Sequence, residues 1–342
     1  MMPSPLHDPE FLPFRLDLVG QRVLWVRLGQ ARRHAAAFLD ERALPAEPEG
    51  GWLPLPAWLQ AEPGTAMPAD AIFHIGHCGS TLLARLLESW PQLQSLREPL
   101  PLRILAEAWP TRGQADARLS VDGAERLLQA AWAAWSRPLP PCTRSLVKAT
   151  SSCNGLIGPL LDLHPAMRAV LLDMPLRPWL ATLFKSADSV NDAASAAPER
   201  LRHLQACGFA DGLALHAMSL PEQCAMGWLA ERLRFGALAA GPHGARVLRV
   251  DFETLLEAPG PTLATIARHL GLDDGSVPVA LASPVWGRYS KAQAHEYGPR
   301  DRRHDLELAL QRNASGIAAA EAWLAAQARR HPEVAAVLAR DA

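Results

Sequence analysis

AIFHIGHCGSTLLARLLES, residues 71–89, joins three signals in a row. Its opening apolar run has the length and composition of a buried strand. Gly76-His77-Cys78-Gly79 makes a glycine-rich turn, and Ser80-Thr81 open an apolar-periodic helix. Glycines let a backbone turn tightly and point consecutive N–H groups inward, and the helix start adds partial positive charge and hydroxyl donors. Together these make a phosphate cradle. The plainer alternative is a strand–turn–helix corner in which Ser80 only caps the helix. The stretch departs from the nucleotide-hydrolase form G-x-x-x-x-G-K-[ST], because no lysine follows Gly79 and Gly76 lies too close upstream.

Working outward, short apolar runs alternate with amphipathic stretches. The runs are 71–76, 94–98, 145–149, 168–173 and 246–251; helical stretches are predicted at 80–90, 99–109, 122–136, 154–163, 176–187, 221–239 and 260–270. Strands alternating with helices imply an α/β fold of three layers, a mostly parallel sheet with helices on both faces. Ligands then sit at the carboxyl ends of the strands. Residues 1–68 read as an N-terminal appendage with one strand at 22–28 and a short helical stretch near 30–42. The Gly- and Pro-rich segment 47–68 reads as a loop that ends the appendage. Residues 69–342 read as the α/β domain, with 188–218 as surface helix and loop, 283–305 as a flexible basic loop, and one or two helices over 315–340.

Composition narrows the class of function. Hydrophobic residues are 49% and charged residues 20%, as in an ordinary globular chain. A formal net charge of −1 argues against a nucleic-acid partner. Five irregularly spaced cysteines without C-x-x-C read as free thiols in a reducing compartment and suggest no zinc site. The start MMPSPLHDPEFLPF lacks a signal-peptide pattern, and no apolar run approaches the ~20 residues of a membrane span. The expectation is a soluble, cytoplasmic protein. The 34 basic residues include only three lysines, Lys148, Lys185 and Lys291, which singles out each of them. The 11 tryptophans leave room for an aromatic acceptor pocket or an interface.

His77-Cys78-Gly79-Ser80-Thr81 resembles the 5′-phosphosulfate loop of the P-loop type sulfotransferase family, which reads like [KR]-S-G-T-T or R-C-G-S-T after the first strand. The resemblance extends over about 70–305, and the loop is its specific part. It implies 3′-phosphoadenosine 5′-phosphosulfate as donor, no metal, and Gly76, His77, Cys78, Gly79, Ser80 and Thr81 as its 5′ site. Arg97-Glu98-Pro99 resembles the family's K-E-[PTV] sequence, whose glutamate is the catalytic base; the alternative is a helix-entry glutamate. Lys148, at the end of the third run, matches a family lysine near the acceptor; the alternative is a lysine snorkelling from a strand end. The 246–272 stretch resembles a scaffold segment of the family, and 283–305 its closing basic loop; a solvated basic loop is the alternative.

The fourth run departs from the pattern. The family's 3′-phosphate segment, L-L-R-D-P-R-D-x-x-x-S, aligned on Pro175, puts Asp173 at the arginine position and Ala181 at the serine position. Arg177 and Thr182, nearby, are the candidate replacements. His77 replaces the loop's usual cation, and a bound phosphate would favour its charged form.

Three readings follow. The first is sulfuryl transfer to an acceptor hydroxyl or amine, with Glu98 as base and Lys148 and His77 balancing charge. The second is a P-loop small-molecule kinase or other nucleotide-dependent transferase, for which Asp173 would be the magnesium acid. The third is a non-catalytic nucleotide-binding protein. What faces the loop discriminates them: an arginine for the 3′-phosphate, a carboxylate for magnesium, or neither.

Overall fold

The computed structural model describes residues 5–61, 67–208 and 212–340. The chain opens with β1 (Phe11–Asp17), β2 (Arg22–Arg27) and β3 (Gly50–Pro54), which form an antiparallel three-stranded sheet. β4 (Asp70–His74), β5 (Leu93–Arg97), β6 (Arg144–Lys148), β7 (Ala169–Asp173) and β8 (Val247–Asp251) form one parallel sheet in the order β5-β6-β4-β7-β8. β9 (Arg288–Tyr289) and β10 (Ala292–Glu296) form a hairpin. Every residue of β4, β5 and β7 is buried, as expected of parallel strands whose two faces are covered by helices. The five predicted runs are these five strands, and the expected α/β architecture is the observed one. The chain leaves β4 toward β5 and β6 on one side and reaches β7 and β8 on the other, so the order reverses beside β4. The crevice at such a reversal, beyond the carboxyl ends, is where α/β sheets bind ligands.

Two segments are more regular than their composition suggests. Residues 47–68 are not wholly a loop: they supply β3 and the Leu55–Gln60 helix, while 62–66 lie outside the described residues. Gly50 permits a close approach, since a Cβ there would lie 2.0 Å from the Trp25 carbonyl oxygen, and the prolines stand at the helix start, where a missing N–H costs nothing. Residues 283–305 are the β9–β10 hairpin and the start of the Pro299–Arg312 helix rather than a flexible loop. A further strand, β1, pairs with β2 along its length.

The N-terminal residues cover the edge of the parallel sheet. The Leu39 N–H donates to the Arg97 carbonyl at 2.7 Å. The buried Arg97 guanidinium donates to the carbonyls of Arg33, His34 and Ala36 and pairs with Glu88 at 2.5 Å. A covered edge offers no unpaired row of backbone groups to a stray strand. The tryptophans serve mostly as core: Trp25, Trp90, Trp132, Trp135 and Trp228 are fully buried. No helix among the described residues is long and apolar enough to cross a membrane.

Candidate functional site

The loop between β4 and the Ser80–Leu87 helix is held from behind by side chains that leave its front free. The His74 imidazole is buried, with Nε2 2.9 Å from the Ala149 carbonyl and Nδ1 3.0 Å from the Gly76 amide. Since Nδ1 accepts the Gly76 N–H, the ring is neutral and Nε2 donates; burial pushes its pKa well below the ordinary value. The Trp179 indole donates to the Gly76 carbonyl at 2.9 Å. The Asn154 amide donates to the His74 carbonyl at 3.0 Å and to Glu231 at 2.9 Å. Gly76, His77 and Gly79 all have positive φ, at 84°, 52° and 76°. Among the described residues, the amides of His77, Gly79, Ser80 and Thr81 have no protein acceptor. These free amides stand at a helix start, where backbone N–H groups are able to meet an anion.

The side chains of the loop divide into two groups. Ser80 and Thr81 are largely buried but line the adjoining cavity, and their hydroxyls have no protein partner among the described residues. The Cys78 thiol is fully buried, donates to the Leu172 carbonyl at 3.4 Å and is pushed up to about 12 by burial, so Cys78 offers the cavity only backbone. His77 is pushed down to about 4, first by burial and then by Lys291 and Lys148. At neutral pH it is an uncharged imidazole.

The loop opens on a cavity of about 1450 Å³. Glu98 and Lys148 line it from the ends of neighbouring strands: Arg97 and Lys148 are register partners, and the Glu98 N–H donates to the Lys148 carbonyl at 2.6 Å. The Lys148 ammonium donates to the Glu98 carboxylate. Lys148 is only 1% exposed in this pair and the Glu98 side chain 19%. Glu98 also has a positive φ of 56°, a conformation that favours glycine. The structure thus brings together the loop, the proposed base and the proposed cation. Arg97, the other half of the Arg-Glu pair, turns away to bind the N-terminal residues.

The candidates for a 3′-phosphate clamp fare differently. Arg177 lies outside the cavity lining, exposed, and pairs with Glu321 at 3.2 Å. Thr182 lines the cavity, but its hydroxyl donates to the Pro178 carbonyl at 2.9 Å and has no proton left for an anion. Ala181 is fully buried. Neither replacement supplies a clamp. Asp173, the acid that a kinase would aim at magnesium, does not line the cavity; its carboxylate pairs with Arg249 at 2.7 Å and Arg232 at 3.1 Å. Burial pushes its pKa up, and the two arginines pull the other way. Among the described residues no cluster of three His, Cys, Asp or Glu could hold a metal.

Several residues of the site escape sequence reasoning. Phe38, Asp40 and Arg42 reach in from the N-terminal residues. Arg42, Lys148 and Lys291 gather around the Phe38 ring at 4.4, 5.6 and 5.9 Å from its centre. The one available signal was the lysine count: all three lysines of the chain line this cavity. Two tryptophans, Trp179 and Trp286, belong to the lining, together with Phe38, Phe252, Tyr289 and Tyr297.

No family model and no curated protein matches the sequence. Among solved structures, the chain is similar to a sulfotransferase domain from the curacin biosynthetic pathway (14% identity, 72% of this chain and 91% of that one, TM-score 0.42). It is also similar to a sulfotransferase from Alicyclobacillus acidocaldarius (14% identity, 76% and 99%, TM-score 0.37). A third similarity is to a mouse sulfotransferase complexed with PAP (10% identity, 81% and 90%, TM-score 0.43).

Proposed function

We propose that the protein transfers a sulfuryl group from 3′-phosphoadenosine 5′-phosphosulfate to the hydroxyl or amine of an acceptor. The observation that carries this reading is the shared cavity: free amides and the hydroxyls of Ser80 and Thr81 face it from one strand end, and the Glu98–Lys148 pair from the next two strands on one side of it. The 5′ end of the donor fits these residues, because the cradle offers only donors and partial positive charge. The donor brings a sulfuryl group whose transfer forms a bond from sulfur to the acceptor and breaks the bond to the bridging oxygen, which keeps the electron pair. Glu98 takes the acceptor's proton, and Lys148, already hydrogen-bonded to that carboxylate, holds positive charge beside the transfer. In-line transfer of this kind asks the protein for positioning and charge rather than covalent work.

The buried, doubly paired Asp173 weighs against the kinase reading. A ligand that binds the folded state raises the melting temperature, so the two readings part in a thermal-shift comparison. Adenosine 3′,5′-bisphosphate is expected to stabilise the protein more than ADP does, with or without magnesium. Equal or reversed stabilisation sinks the sulfotransferase reading.

A further inference from the structure

The loop at 76–81 and the Glu98–Lys148 pair stand on different strands, and one buried ring joins them. The backbone ladder between β4 and β6 ends early. Ile72 and Lys148 are its last register partners, and the Ala149 N–H closes it on the Ile72 carbonyl at 3.0 Å. On the other side of β4 the ladder runs on, as far as the bond from the Ile75 N–H to the Leu172 carbonyl at 3.2 Å. β4 thus parts from the strand that carries Lys148 before it parts from β7. In a continued parallel ladder the next β4 amide, that of His74, would take the Ala149 carbonyl. The His74 side chain takes it instead, through Nε2 at 2.9 Å.

The other ring nitrogen faces the loop, where Nδ1 accepts the Gly76 N–H at 3.0 Å. With both nitrogens committed, the ring is a strut of fixed length between two backbones. Gly76 opens the loop, and Ala149 follows Lys148. The Glu98 N–H donates to the Lys148 carbonyl, so the placement of this strand end carries the whole pair. The strut is itself held: Asn154 donates to the His74 carbonyl and to the buried Glu231, and Trp179 donates to the Gly76 carbonyl. A ring that is 5% exposed and bonded at both nitrogens has no free atom for proton transfer, so its part is to place other groups. Group transfer is steep in such placement, with about 1 Å of misalignment costing of order 100-fold in rate.

We propose that His74 is a positioning residue: it sets the distance from the loop at 76–81 to the Glu98–Lys148 pair, through Gly76 on one side and Ala149 on the other. The inference deepens the proposed function and rests on it for the identity of the anion. The two hydrogen bonds then have separable tasks. The Gly76 bond shapes the site of the 5′-phosphate, and the Ala149 bond brings Lys148 to the group beyond that phosphate.

Calorimetric titration with adenosine 3′,5′-bisphosphate and 3′-phosphoadenosine 5′-phosphosulfate separates the tasks, because only the second has a group beyond the 5′-phosphate. AMP and ADP form another pair of this kind. His74→Asn puts an amide oxygen near the place of Nδ1, where it accepts from Gly76, but is too short to reach Ala149. It is expected to keep the bisphosphate near its wild-type affinity and to weaken the phosphosulfate about 10-fold. His74→Gln puts an amide nitrogen near the place of Nε2, where it donates to Ala149, and leaves the Gly76 N–H without its acceptor. It is expected to weaken both ligands alike, by about 10-fold, with their affinity ratio unchanged. His74→Leu ties neither side and should combine the two losses. A packing role alone weakens every ligand in both amide variants in step with the fall in melting temperature, and that result overturns the proposal. Wild-type affinities in His74→Leu overturn it as well. If the wild type prefers AMP and ADP to the 3′-phosphorylated pair, the donor reading falls, and the ADP-to-AMP affinity ratio reads the role of His74 in the same way.

Discussion

Glu98 keeps a left-handed backbone conformation that costs a non-glycine residue of order 1–3 kcal/mol. His77 is in the same state. Both line the cavity, and the hydrogen bond from the Glu98 N–H to the Lys148 carbonyl helps to hold the strained residue in place. Strain of this kind persists where surrounding structure over-determines it, and here it aims a carboxylate at a neighbouring strand's lysine. The pair predicts two different failures. Glu98→Gln keeps shape but cannot take a proton, so turnover should drop by roughly 10²–10⁴ with nucleotide affinity preserved. Lys148→Ala removes positive charge near the transferring group, and should reduce turnover and weaken donor binding together. Stability should be asymmetric in denaturant unfolding. Glu98→Ala strands a lysine that is 1% exposed, whereas Lys148→Ala leaves a carboxylate that solvent reaches, so the first should cost more. Equal costs would mean that the pair is more open to water than the structure shows.

The loop and its helix act as one element, and the glycines show how tightly the loop is packed. A Cβ on Gly79 would lie 2.0 Å from the Phe252 ring, at a φ of 76° that a β-branched residue avoids. Gly79→Val should therefore lose nucleotide binding and also lower the melting temperature, because Phe252 must move. Gly76→Ala meets only the Ser151 hydroxyl, at 3.3 Å, and should cost mainly the backbone strain, about 1 kcal/mol. Wild-type melting behaviour of Gly79→Val would show that Phe252 yields freely. The same elements show what a sequence conveys. Five buried apolar runs bounded by turn residues gave away the parallel sheet, and strand-end positions put Glu98 and Lys148 near the loop, because parallel register aligns such ends. β3 was hidden by its two glycines, of which Gly50 is there to approach the Trp25 backbone. The hairpin was hidden by its polar surface, which solvent rather than core explains. Phe38, Asp40 and Arg42 could not be read at all, since long-range contacts such as those of Arg97 and Arg85 carry the N-terminal residues to the site. The pairing of Asp173 could not be read, because the two arginines that claim it lie far along the chain.

Across the whole molecule, charge burial sets how stability follows pH. Burial holds His77, His164 and His203 at about 4 and lowers His74 and His269 as well. In the unfolded chain these imidazoles take up protons near 6.5. Between about 6.5 and about 4 the unfolded state thus binds more protons than the folded one, and stability falls as pH falls through that window. His34, pushed up by Glu88, and Asp70 and Asp173, pushed up by burial, act in the opposite sense, but they are fewer. Denaturant unfolding at pH 7, 6 and 5 should therefore show a progressive loss of stability, with net proton uptake on unfolding. A ligand changes one member of the set. An anion in the cradle favours protonated His77, so adenosine 3′,5′-bisphosphate should bind with proton uptake below pH 6.5 and flatten the acid side of the stability profile. His77→Gln keeps a polar side chain at the loop but cannot titrate, and should abolish that proton uptake while leaving the slope due to the other histidines. Proton uptake on binding that survives in His77→Gln would place the titrating group elsewhere in the cavity, and a flat profile for the free protein would mean that these imidazoles are hydrated in solution.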